Sequence, residues 1–162
     1  MAEHLIPIRS TLELEIADRI CVEALRLRRA NGLLPLTIAV LDAGGHLVSF
    51  RREDGCGVLR ADIAIGKAWG ALGMGMSTRQ IRDRLSNRPT FQSALAAASD
   101  GRFIPTPGGV LIIDASGQAI GAVGISGDAS DKDEFCAIGA VNAAGQRAEP
   151  SAPQADWNDA KL

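Results

Sequence analysis

The sequence predicts an α+β domain, one antiparallel sheet with helices packed against it. Three observations lead there. Two pairs of aliphatic runs are each joined by a short Gly-containing turn, as in β-hairpins. Helical patterns lie before, between and after those pairs. No GxGxxG follows a strand and no P-loop glycine–lysine motif is present, which disfavours a parallel nucleotide-binding sheet.

Each element has a local reason. Ser10-Thr11-Leu12-Glu13 fits a capping box, with Ser10 as N-cap and Glu13 at the third helical position. Leu12, Ile16, Ile20, Ala24 and Leu27 then form one helix face, and Asn31-Gly32 supplies the stop. Leu36–Leu41 and His46–Arg51 are the strands of the first hairpin, with Asp42-Ala43-Gly44-Gly45 as the turn. Asp54-Gly55-Cys56-Gly57 breaks the chain before a helix over Val58–Met74. Its stripe of Ala61, Ala64, Ala68, Ala71 and Gly75 predicts close packing on a sheet or a second helix.

Ser77-Thr78-Arg79-Gln80 opens a short Arg-rich helix that ends near Arg88-Pro89, and Thr90–Ser99 is a further helix. Prolines and glycines make Phe103–Gly109 a rigid loop. Val110–Ile113 and Ala119–Ile125 form the second hairpin around Asp114-Ala115-Ser116-Gly117. Ser130 is the expected N-cap of a last helix from Asp131 to about Ala144, with Asp133 completing the capping pattern. The organisation expected is an arm at 1–9, a domain at 10–145 and a polar tail at 146–162. Trp157 has the apolar area to dock that tail on the body or on a neighbouring subunit.

A chain of 162 residues buries roughly two-thirds of its unfolded surface, so one domain folds without a disulfide or metal staple. With 17 Lys+Arg against 19 Asp+Glu and only 4% aromatic residues, neither phosphate attraction nor base stacking is available, and nucleic acid is not expected as a partner. No run reaches the ~18–20 apolar residues of a membrane span. The N-terminus carries no basic region followed by an apolar run. Cys21, Cys56 and Cys136 are odd in number and outside any CxxC pair, so they read as reduced thiols in a cytoplasmic protein. Cys and His are too few to suggest a zinc site.

The chemistry is expected around the second hairpin. Gly108-Gly109 enters it and Ser126-Gly127-Asp128 leaves it, so both lie at one end of the two strands. Backbone N–H groups there and at the start of the last helix would form a cup for a carboxylate or another anion. Ligand contacts would come from Arg51, Thr106, Gly108, Gly109, Ser126, Gly127 and Ser130. Lys67, Asp54, Asp133 and Glu134 are the candidate catalytic groups. Adjacent acids on a helix point roughly 100° apart, so at most one of Asp133 and Glu134 faces the cup.

The string Val40-Leu41-Asp42-Ala43-Gly44-Gly45-His46-Leu47-Val48 resembles the hairpin of the GlcG/HbpS family, the haem-degrading or haem-binding domain related to the PduO C-terminal domain. Further resemblance lies in Arg51–Gly55, Ile65-Gly66-Lys67-Ala68, Pro107–Val110, Gly121–Gly127 and Asp133-Glu134. The resemblance spans about residues 10–145 and implies a profilin-like domain that self-associates, which suits the alanine stripe. It also implies haem as a cofactor. A His-ligated haem would use His4 or His46, and Thr106, Met74 and Met76 are the further candidate ligands. Two functions follow. One is a cytoplasmic protein binding a small anionic molecule or haem. The other is an enzyme acting on a small carboxylate, as hydratase, tautomerase or hydrolase on an oxo, hydroxy or unsaturated diacid.

Overall fold

The computed structural model describes residues 5–162. Helix α1 (Leu14–Ala30) precedes the hairpin of β1 (Thr37–Asp42) and β2 (Leu47–Arg52). Helices α2 (Leu59–Met74), α3 (Thr78–Leu85) and α4 (Pro89–Ala98) follow. Strands β3 (Gly109–Ile113) and β4 (Ala119–Ser126) form the second hairpin, and α5 (Ser130–Ala143) and β5 (Arg147–Glu149) complete the core. The sheet has the order β2-β1-β4-β3-β5, with every neighbour antiparallel. The α+β prediction therefore holds. No helix among the described residues is long and apolar enough to cross a membrane.

Strand alternation sorts the sheet into two faces. Ile38, Val40, Val110, Ile112, Val123 and Ile125 meet Ile20, Cys21, Ala24, Ala137 and Val141 of α1 and α5. Leu41, Leu111, Ile113 and Ala122 meet Ala68 and Ala71 of α2 on the opposite face. Between these aliphatics runs a row of small residues, because the register places Gly124 opposite both Ala39 and Gly109. A Cβ on Gly124 would strike the Ala64 carbonyl, and one on Gly109 would strike the Lys67 carbonyl. Ala64, Ala68 and Ala71 are fully buried on that row. The alanine stripe is thus used within the chain, against the sheet, and is not an exposed face for self-association.

Local signals held where no tertiary contact competed. The Ser77 side chain accepts from Gln80 N–H at 3.3 Å, as its capping pattern predicts. Ser10 does not cap α1. Glu13 is the N-cap without a side-chain bond, the Thr11 hydroxyl accepts from Ala43 N–H in the β1–β2 turn at 3.0 Å, and Leu12 is buried. Docking that segment on the turn displaces the local cap. Ser130 is likewise the first helical residue of α5, after Ala129, and makes no cap. The compositional change at Gly145 does not end the sheet, since β5 pairs with β3. Trp157 docks on its own chain, stacked on Phe135 with ring centroids 3.7 Å apart.

Candidate functional site

At the end of the sheet where β3 begins and β4 finishes, α2 and α5 approach each other from opposite faces. Lys67 of α2 spans the gap. Its Nζ donates to the Ile125 carbonyl at 2.9 Å and to Asp133 Oδ2 of α5 at 3.0 Å. Both side chains are almost completely buried. Gly108 makes this reach possible. Its φ is 119°, and a Cβ there would lie 2.9 Å from Lys67 Nζ and 2.8 Å from the Ile125 carbonyl. Asp133 Oδ1 accepts from Asp128 N–H at 3.0 Å, which ties the carboxylate to the loop entering α5.

Burial sets the electrostatics. Removal from water pushes the Lys67 ammonium down from its ordinary value, against the pull of Asp133. The same effect raises Asp133 to about 6, with Lys67 pulling the other way. Burial thus draws the proton affinities of the two groups toward each other.

Above the pair opens a cavity of about 490 Å³. Leu59, Ile63 and Ile104 give it apolar walls, and Arg60, Lys67, Thr106, Ser126 and Ser130 give it polar groups, with Asp62 the one acid among the described lining residues. Arg60 donates to the Ser126 hydroxyl at 3.2 Å, so a guanidinium is already aimed into the site. Arg60 was not among the residues singled out from sequence. It stands seven positions before Lys67 on one helix, two turns along the same face, and that spacing was the available signal.

Of the predicted site residues, Lys67, Thr106, Ser126 and Ser130 line this cavity, and Gly108 and Asp133 contact Lys67. Gly109 and Gly127 lie nearby in different roles from those expected. Gly109 N–H donates to the Thr78 hydroxyl at 2.8 Å, so the pair of free glycine donors for an anion does not exist. Gly109 instead lets α2 approach the sheet, and Gly127 lets its loop approach the Pro35 carbonyl.

Glu134 diverges from Asp133, as adjacent helical acids must. It is fully buried between α5 and α3, with Arg79 Nε 3.4 Å away and no hydrogen bond to either oxygen. Burial raises it to about 7, with Arg79 opposing. Three other residues lie apart from the cavity. Arg51 pairs with Asp18 of α1 at 3.3 Å, and Asp54 is exposed in the turn after β2. His46 is exposed in the β1–β2 turn with Nδ1 3.3 Å from Asp42. The other end of β1, at Thr37, pairs with Ser126, so His46 sits a strand's length away, ~17 Å or more. His4 lies outside the described residues.

A five-stranded antiparallel sheet with helices on both faces and a cavity floored by a buried Lys–Asp pair defines a small-ligand-sized site on an α+β scaffold. The chain belongs to the family described as haem degrading protein HbpS-like, whose model matches residues 12–142. It is 27% identical over 133 residues to an uncharacterised 15.0 kDa protein of the dhaT–dhaS intergenic region of Citrobacter freundii, covering 82% of this chain and 92% of that protein. Its fold is similar to that of PduOC, solved as a heme complex, with a TM-score of 0.75 and 23% identity over 83% of this chain and 96% of the other. The Klebsiella pneumoniae protein ORFY is equally similar, with a TM-score of 0.75 and 23% identity over 90% and 97% of the two chains.

The residues can be tested for fit to haem. Arg60, Ser126 and Ser130 suit carboxylates, and the aliphatic walls suit an apolar body. Among the described residues, no His, Cys or Met lines the cavity. Met74 and Met76 pack instead against Ile81, Leu85 and Phe103. The described lining therefore offers no imidazole, thiolate or thioether to an iron.

Proposed function

We propose that this chain binds a small carboxylate-bearing ligand in the cavity between α2 and α5. One observation carries the reading: Arg60, Thr106, Ser126, Ser130 and Lys67 converge on one partly apolar space from four separate stretches of chain. Haem is the ligand that family membership supports, and here it would be held through its propionates. Arg60, already hydrogen-bonded to Ser126, is the group placed to receive a carboxylate as a charge-assisted pair. We infer that the protein is cytoplasmic, given its three free thiols, and that it self-associates. Self-association is supported by Val58 and the cavity-lining Leu59, which are 81% and 64% exposed, and by α4, which buries none of its residues.

The test is titration with haemin and with haemin dimethyl ester, whose propionates are blocked. The free acid should bind about tenfold or more tightly, and Arg60→Ala should remove that advantage. Equal affinities for acid and ester, unchanged by Arg60→Ala, would overturn the reading.

The Lys67–Asp133 pair favours a second reading, an enzyme acting on a small oxo, hydroxy or unsaturated carboxylate. Groups whose proton affinities are drawn together beside a cavity are suited to proton transfer.

A further inference from the structure

We propose that Lys67 Nζ is a nucleophile that condenses with the carbonyl of a small 2-oxo carboxylate bound in the cavity, giving an imine. The inference rests on the carboxylate-binding reading above and names its substrate class. The chain has three lysines. Lys132 lies 3.9 Å from Asp128 at the surface of α5, and Lys161 is exposed near the C-terminus. Lys67 alone is buried, and it alone lines the cavity.

The geometry serves the reaction. Ile125 and Asp133 hold Nζ in place, so the amine is positioned before a substrate arrives. Asp133 Oδ2, 3.0 Å away, is within reach to take and return a proton. A plain strut between two layers needs no open space beside it. Here the cavity lies directly beside Nζ, and Ile63 and Ile104 line its apolar side. Arg60 and the Ser126 hydroxyl would fix the carboxylate and so aim the adjacent carbonyl at the floor.

The step balances without a further reactant. Asp133 takes a proton from the ammonium, and the freed lone pair forms the N–C bond while the carbonyl π-bond breaks toward oxygen. One nitrogen proton passes to that oxygen, giving a carbinolamine. Asp133 then returns its proton to the hydroxyl, water leaves, and the C=N bond closes as a protonated imine. The net change is ammonium plus ketone to iminium plus water, with charge conserved. Desolvation, which favours the neutral amine, works in the same direction.

The test incubates the natural chain with pyruvate and sodium cyanoborohydride, followed by intact mass and peptide mapping. We expect one reduced adduct per chain, on the peptide carrying Lys67. Lys67→Arg should abolish it, and Asp133→Asn should slow trapping at least tenfold. The site is mapped in the natural chain, so the result stands even where a variant fails to fold. Calorimetry with pyruvate separates the two ideas. Binding heat lost in Arg60→Ala, without any Lys67 adduct, overturns the imine and leaves the carboxylate site standing. Adducts spread over Lys132 and Lys161 also overturn it. Absence of both heat and adduct removes the small-acid reading of the cavity as well.

Discussion

The two ends of the sheet carry similar residues and behave differently. At the hairpin-turn end, Asp42 Oδ1 accepts from Gly44 and His46 N–H at 2.9 and 3.0 Å. Asp114 Oδ1 does the same for Ser116 and Gln118 at 2.9 and 3.0 Å. The Ser116 hydroxyl and these amides hold Asp114 below the usual carboxylate range. At the α2–α5 end, Asp133 answers to a lysine 66 positions away and is raised to about 6. The larger cavity, about 700 Å³, lies at the turn end beside Ser10, Thr11 and Asp114. The smaller one holds the buried charge. Volume is therefore a poor guide here. What separates the ends is whether the acids are satisfied by their own turn or by a distant, desolvated partner.

The largest expected effect sharpens that contrast. Lys67→Met leaves Asp133 buried without its counter-charge and should cost about 3–5 kcal/mol in urea unfolding at pH 8. The cost should shrink at pH 5, where Asp133 is protonated in the folded variant. An equal cost at both values would mean that Lys67 contributes packing alone.

Glu134 gives the next effect. Its folded value of about 7 lies above the ordinary 4.5, so the folded chain binds more protons between those values. Stability from this group is full below about pH 4.5, falls as pH rises toward 7, and stays lost above it. Glu134→Gln should remove that slope and stabilise the protein by roughly 2 kcal/mol at pH 8. A variant that keeps the wild-type slope would place the titration elsewhere.

The smallest effect tests the turn end. His46→Ala should change stability by no more than about 0.5 kcal/mol and leave haemin affinity unchanged. A tenfold loss of affinity would bring the turn end into the binding site and break the comparison.

Much of this was legible from residues alone. Hairpin turns at Asp42–Gly45 and Asp114–Gly117, the helix punctuation at Ser77, and the placing of Gly108-Gly109 and the β4 exit at one end of the second hairpin all follow from local pattern and the return of a hairpin to its starting end. The role of Gly108-Gly109 was misread. Glycine is ambiguous in sequence, because the same residue suits an anion-binding turn or a close approach. Only the path of α2 shows the second. Arg51 and Asp54 fall in a segment that suggested a site by resemblance, yet Arg51 pairs with Asp18 on the α1 face of the sheet, opposite α2, and Asp54 is exposed in the turn after β2.

Periodicity and turn chemistry are properties of neighbours along the chain, so the sequence by itself determined the helices, the two hairpins and the faces they bury, whereas β5, too short for a pattern, is set by its pairing with β3. The sequence also determined the supply of chemistry: three lysines, two histidines and an adjacent acid pair near the last helix. Which lysine is buried, which acid meets it and which arginine overlooks the cavity were decided only in three dimensions. Those contacts join opposite faces of the sheet across its open end, and their energies depend on water excluded by the whole assembly of layers.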